Sequence, residues 1–127
     1  MTRVALIAAL ALALTACGGG SGASLHTLAK TRSCLLKNRE VKLDRKLDFV
    51  ASTATGGALH VKMPQNAATV VFGESVGDAD NINEAYHRFR AKNVGIEDII
   101  RQDKNTVILY RTHPRDEDLA TIQNCLK

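Results

Sequence analysis

The chain has no tryptophan, and its aromatic rings are only three Phe and two Tyr among 127 residues. A surface that stacks bases or sugars would be short of rings. No Cys-x-x-Cys occurs, which leaves a thioredoxin-like redox role without support. There is no His-Glu-x-x-His, and His26, His60, His87 and His113 include no pair four residues apart. The Gly-x-Ser-x-Gly of a nucleophile elbow is missing as well. The loop "GESVGDAD" (Gly73–Asp80) has neither a Gly-Lys-Ser/Thr ending nor the G-x-G-x-x-G spacing, and its Glu74, Asp78 and Asp80 would repel phosphate. Neither sign of charge dominates: 17 Lys and Arg face 13 Asp and Glu, for a formal charge of +4. That balance is too mixed along the chain to suggest nucleic acid. No apolar run is long enough to span a bilayer. The uncharged stretch Val4–Leu14 reaches only ~16 Å as a helix, against ~30 Å for a hydrocarbon core.

What that short run does have is context. "MTR" puts one positive charge ahead of it, and "LTAC" (Leu14, Thr15, Ala16, Cys17) closes it. A charged start, a short apolar middle and small residues at the end describe an export signal. "LTAC" resembles the lipobox of bacterial lipoproteins: an aliphatic residue, two small residues, then Cys. The resemblance implies that the Cys17 thiol receives a diacylglyceryl group and that the chain is cut just before it. Residues 1–16 are then a signal peptide and Cys17 is the lipidation site. "GGGSGAS" (Gly18–Ser24) follows as a flexible tether with a reach of about 15 Å. Two or three acyl chains would hold such a protein at the cell membrane, on its extracytoplasmic side. The alternative is an ordinary secretory signal cut after "ALA" (Ala11–Ala13), with Cys17 incidental.

Residues 25–127 are enough for one domain with one hydrophobic core, and too few for two lobes. With Cys17 lipidated, Cys34 and Cys125 remain, one near each end of that domain. In a disulfide-permissive compartment an even pair reads as one bridge, here closing a loop of about 90 residues. Two buried free thiols, or pairing with another chain, are the alternatives.

Periodicity outlines the domain. "SLHTLAKTRSCLLKN" (Ser24–Asn38) reads as a helix with Ser24 as N-cap and Cys34 in its last turns. "ALHVKM" (Ala58–Met63) alternates as a half-buried strand, and "AATVVFG" (Ala67–Gly73) is a β-branched second strand. "PQN" between them suits a tight connection. Gly77–Asn93 is the clearest helix, with Ile82, Ala85, Tyr86 and Phe89 on one face. "IEDIIRQ" and "TVILYRT" flank "DKN" as a second hairpin in which Asn105 takes the left-handed turn conformation. Pro114 suits the first position of a final helix, with Asp116, Glu117 and Asp118 in its first turn and Leu119, Ile122 and Leu126 buried. The segment from Arg39 to Gly57 holds part of a short strand and a loop. The expected fold is α+β: a two-layer sandwich of a four-stranded, mainly antiparallel sheet and three helices, in the order α-ββ-α-ββ-α. This layout loosely resembles small actinobacterial lipoproteins of unknown function.

No catalytic constellation, metal-ligand set or cofactor motif emerges. Asp78 and Asp80 stand two apart, but Ile82 occupies the next position of a calcium loop. "KTRSCLLKNREVKLDRK" (Lys30–Lys46) holds seven basic residues near the anchor, either a solvated face or one that leans on anionic headgroups. The expectation is a lipid-anchored envelope protein, non-enzymatic, which binds or braces another protein. Two other readings stand beside it. One is a small envelope hydrolase built on His60, His87 and the acidic loop, which requires those histidines to converge. The other is a surface-held inhibitor of a secreted enzyme that presents Asp48–Ala58 as an exposed loop.

Overall fold

The computed structural model describes residues 24–89 and 95–127. The expected leader, Cys17, Gly18–Ala23 of the tether and the last residues expected of the central helix lie outside that range.

Both expected hairpins form. β2 (Ala58–Lys62) pairs with β3 (Ala67–Phe72), and β4 (Ile100–Asp103) pairs with β5 (Thr106–Tyr110). β3 also pairs with β5, which joins the hairpins into one sheet. A fifth strand, β1 (Lys42–Asp44), adds to the edge beside β2, so the order is β1-β2-β3-β5-β4 and every pairing is antiparallel. The sheet thus has five strands where four were expected. The extra one is three residues long, two of them charged, too short for its alternation to stand out.

Among the described residues five helices stand where three were expected. α1 (Leu28–Leu35), α3 (Val76–Phe89) and α5 (Asp116–Gln123) are the long ones, while α2 (Phe49–Ser52) and α4 (Ile96–Ile99) are single turns. α4 occupies the start of what reads as a strand, and β4 begins only at Ile100. α1 is capped by Thr27, not Ser24, because residues 24–27 are held elsewhere: the Thr27 N–H donates to the Lys127 carbonyl at 2.6 Å. Pro114 sits ahead of the α5 N-cap, Arg115, rather than inside the helix. Ile122 and Leu126 are buried as expected, with Leu119 packed at the core's margin.

The helices cover both faces of the sheet, so the expected two-layer arrangement is replaced by helix, sheet and helix. Every residue of β3 and β5 is buried, which a sheet with one open face does not allow. The register places Leu59, Val70, Ile108 and Arg101 on one face, with Asp103 on the same side of β4. Asp103 there meets His26, just ahead of α1. Gln102, on the opposite face, accepts from Asn83 and donates to Asp80 of α3. α2 packs on α3 and β3, and the Tyr86 hydroxyl donates to the Asp48 carboxylate at 2.9 Å. α3 buries Ala79, Ile82 and Tyr86. Phe89, expected on that buried stripe, is 69% exposed and meets Phe49 edge-on with ring centroids 6.4 Å apart.

Cys34, in the last turn of α1, is bonded to Cys125, two residues beyond α5. The Cα atoms are 5.3 Å apart, and the bridge ties the first long helix to the C-terminus.

Candidate functional site

A groove of about 560 Å³ opens on the α2/α3 face of the sheet, at the end where β2 turns into β3. Its floor is made of small and apolar residues, Ala67 and Thr69 of β3 with Leu109 of β5. The registers put these three on one face together with His60 and Lys62 of β2. Lys46 and Asp48, between β1 and α2, line it too, as does Arg111 just past β5. Short side chains at 67 and 69 leave the space that larger residues fill elsewhere on β3.

The acids around this groove are already committed. Asp44 accepts the Lys46 backbone N–H at 2.9 Å and the His60 Nδ1 at 2.7 Å. Its other oxygen lies 3.2 Å from Lys62 Nζ, a charge contact without hydrogen-bond alignment. The Lys46 N–H holds the Asp44 carboxyl down to about 2, helped by His60 and Lys62 and opposed by burial. Asp48 caps α2 through the Ala51 N–H and takes both of its Tyr86 contacts. Lys46 and Arg111 have no ion-pair partner among the described residues, and neither does the Thr69 hydroxyl have a hydrogen-bond partner there. Among the described residues the groove therefore carries two cations outside any ion pair, one carboxylate held by neutral donors, and a hydroxyl without a partner.

Comparison with protein-family models, with curated proteins and with solved structures finds no match for this chain.

The four histidines do not converge. Each sits against a carboxylate of its own: His26 on Asp103, His60 on Asp44, His87 on Glu97 and His113 on Asp98. His87 faces acceptors at both ring nitrogens, the Asn83 carbonyl and Glu97. Both contacts favour the imidazolium, and the Asn83 carbonyl leads in raising the His87 pKa. With Asp98 engaging His113, α4 becomes a clasp between α3 and the chain beyond β5. His60 lines the groove and His87 does not, so the pair that the hydrolase reading needs is not assembled.

The acidic loop is occupied with capping. Asp78 accepts from the Glu74 N–H and the Thr55 hydroxyl, and Asp80 from Gln102. Asp118 is buried and holds Arg115 and Asn66. Among the described residues no three His, Cys, Asp or Glu side chains gather into a metal site, and no helix is long and apolar enough to cross a membrane. Asp48–Ala58 is not a free loop either, since it contains α2 and the Gly57 carbonyl accepts the Phe72 N–H. The basic segment is divided: Lys30 and Lys37 lie with Lys127 around Cys34, while Lys46 belongs to the groove.

Sequence reasoning singled out His60 and the Lys30–Lys46 segment but not Lys62, Thr69 or Arg111. The outward phase of "HVK" marks His60 and Lys62 as neighbours on one face. Nothing local relates them to Arg111, about fifty residues away.

Proposed function

We propose that this protein is a lipid-anchored, extracytoplasmic binding module of the cell envelope, without catalytic activity, that presents the groove to a partner away from the membrane. The observation that carries this reading is that Ser24, where the described chain begins, and the groove lie at opposite ends of the sheet. Ser24 and His26 lie at the β4–β5 turn, where Lys104 Nζ reaches the Ser24 carbonyl at 3.4 Å and Asn105 grips His26. Phe72 and Thr106 pair at that end. Ala67 and Arg111 lie at the far ends of β3 and β5, about 17 Å away at ~3.3 Å per residue. A chain tethered through residues 18–24 would thus hold its domain by one end and leave the groove at the other.

The lipobox resemblance supports the anchor, and the Cys34–Cys125 bridge suits an oxidising compartment. Intact mass of the membrane fraction should show a mature chain that begins at Cys17 and carries lipid. Cys17→Ala should abolish that modification. A photoreactive side chain at position 46 should capture a partner in intact cells, and one at position 37 on the opposite face should not. Recovery of the protein from the cytosol with residues 1–16 still attached would end the proposal.

A further inference from the structure

Resting on the groove as the binding face, the geometry points to its ligand: we propose that the groove takes a phosphate group, held by Lys46 and Arg111 with the Thr69 hydroxyl donating from the floor. Three observations converge on this. The first is the charge balance: Lys46, Lys62 and Arg111 line the groove against one lining acid, Asp48, whose carboxylate is turned to the Ala51 N–H and the Tyr86 hydroxyl, while Asp44 is paired with Lys62. The second is the kind of donor. A planar guanidinium fork, a compact ammonium and a hydroxyl together suit a tetrahedral oxyanion with several acceptor oxygens, whereas a flat carboxylate is satisfied by the fork alone. The third is size. At about 560 Å³ the groove is larger than one phosphate, so the anion is one part of a bigger ligand such as a phosphate ester.

Lys62 extends the positive side of the groove. Lys62 is half exposed beside Asp44, and a dianion that draws it away leaves Asp44 still held by the Lys46 N–H and His60. Charge complementarity at so open a site predicts an affinity that falls with salt. The phosphate could belong to a soluble ester or to a lipid headgroup. The position of the groove at the end away from the tether favours the soluble source.

Equilibrium dialysis of the mature, lipid-bearing protein in neutral phosphatidylcholine vesicles against radiolabelled pyrophosphate tests the proposal. Saturable binding is expected in the range below about 1 mM. Arg111→Gln and Lys46→Gln should each weaken it at least about tenfold, while Lys37→Gln on the other face should leave it unchanged. These side chains make no hydrogen bond or ion pair among the described residues, so the variants should unfold close to the temperature of the parent. Vesicles doped with phosphatidic acid form the second arm. If they displace pyrophosphate through Arg111 and Lys46, the phosphate is a headgroup; if pyrophosphate binds and they do not compete, it is soluble, and either result supports a phosphate site. No saturable binding up to about 10 mM, or equal loss in Lys37→Gln and Arg111→Gln, overturns it. A photoreactive side chain at position 46 has already removed the Lys46 ammonium, so capture of a partner there does not need the phosphate, and a groove that docks a partner without phosphate would remain visible.

Discussion

Replacing Asn105 with glycine is the sharpest test of how the two ends of this chain are joined. Between "D" and "T" in a two-residue hairpin turn, Asn105 reads as the residue that adopts the left-handed conformation, and glycine would be tolerated there. The structure gives that conformation to Lys104, whose φ is +53°. Asn105 is 2% exposed and works through its side chain. Its Oδ1 accepts the His26 N–H, and its Nδ2 donates to the carbonyls of His26 and Gly73, each at 2.8 Å. Glycine removes all three bonds and leaves one N–H and two carbonyls without partners in a buried setting. At about 1–3 kcal/mol for each orphaned group, with partial relief from water, the loss should be about 3–4 kcal/mol. In a domain of about 100 residues each kcal/mol lowers Tm by roughly 4–8 °C, so a drop of about 12–30 °C is expected. Lys104→Gly should do the opposite. It relieves a left-handed residue worth about 1 kcal/mol and gives part of that back as unfolded-state freedom. Thermal unfolding and urea titration of the two variants against the parent decide the matter. Were Asn105→Gly to cost less than about 1 kcal/mol, or Lys104→Gly to be the more damaging, the clamp would not exist as described.

Three further outcomes follow from the packing. Reducing the Cys34–Cys125 bridge, with a sequence separation of 91, should destabilise the domain by up to about 4–5 kcal/mol; an unfolding midpoint unmoved by reductant would contradict this. Burial alone would raise the Asp118 carboxyl, but the Arg115 side chain and N–H, with Asn66, hold it below its ordinary value. Its contribution is therefore complete above the unfolded carboxylate pKa of about 3.9 and is lost as pH falls through the lower folded value. Asp118→Asn should flatten the acid limb of a stability-against-pH curve, and an unchanged limb would refute it. Phe72 is 1% exposed and Phe89 69%, so Phe72→Ala should cost about 3–5 kcal/mol and Phe89→Ala under about 1, measured by urea unfolding; comparable losses would place Phe89 in the core after all.

Elements whose signal is local and repeats were legible from residue order. Leu59, Val61 and Met63 alternate with His60 and Lys62, and β2 forms there. Ile82 and Tyr86 recur at helical spacing, and α3 buries both. Elements of three or four residues were not, because β1, α2 and α4 are shorter than the period that would reveal them. Burial on both faces was written in "AATVVF" and "TVILY", which are apolar without alternation. That pattern marks a strand covered on two sides but does not say which helices cover it.

By itself, then, the residue order determined the α+β class, the two hairpins and the long helices, since each follows from spacing along the chain, while the Cys34–Cys125 bridge was one of three readings until the structure joined the two ends. Only the tertiary structure decided that Phe89 stays outside, that Asn105 clamps the N-terminal segment, that the histidines stay apart, and that Lys46, Thr69 and Arg111 share one groove. Those outcomes depend on contacts between residues far apart in sequence, whose energies arise only once the strands have paired and the helices have packed.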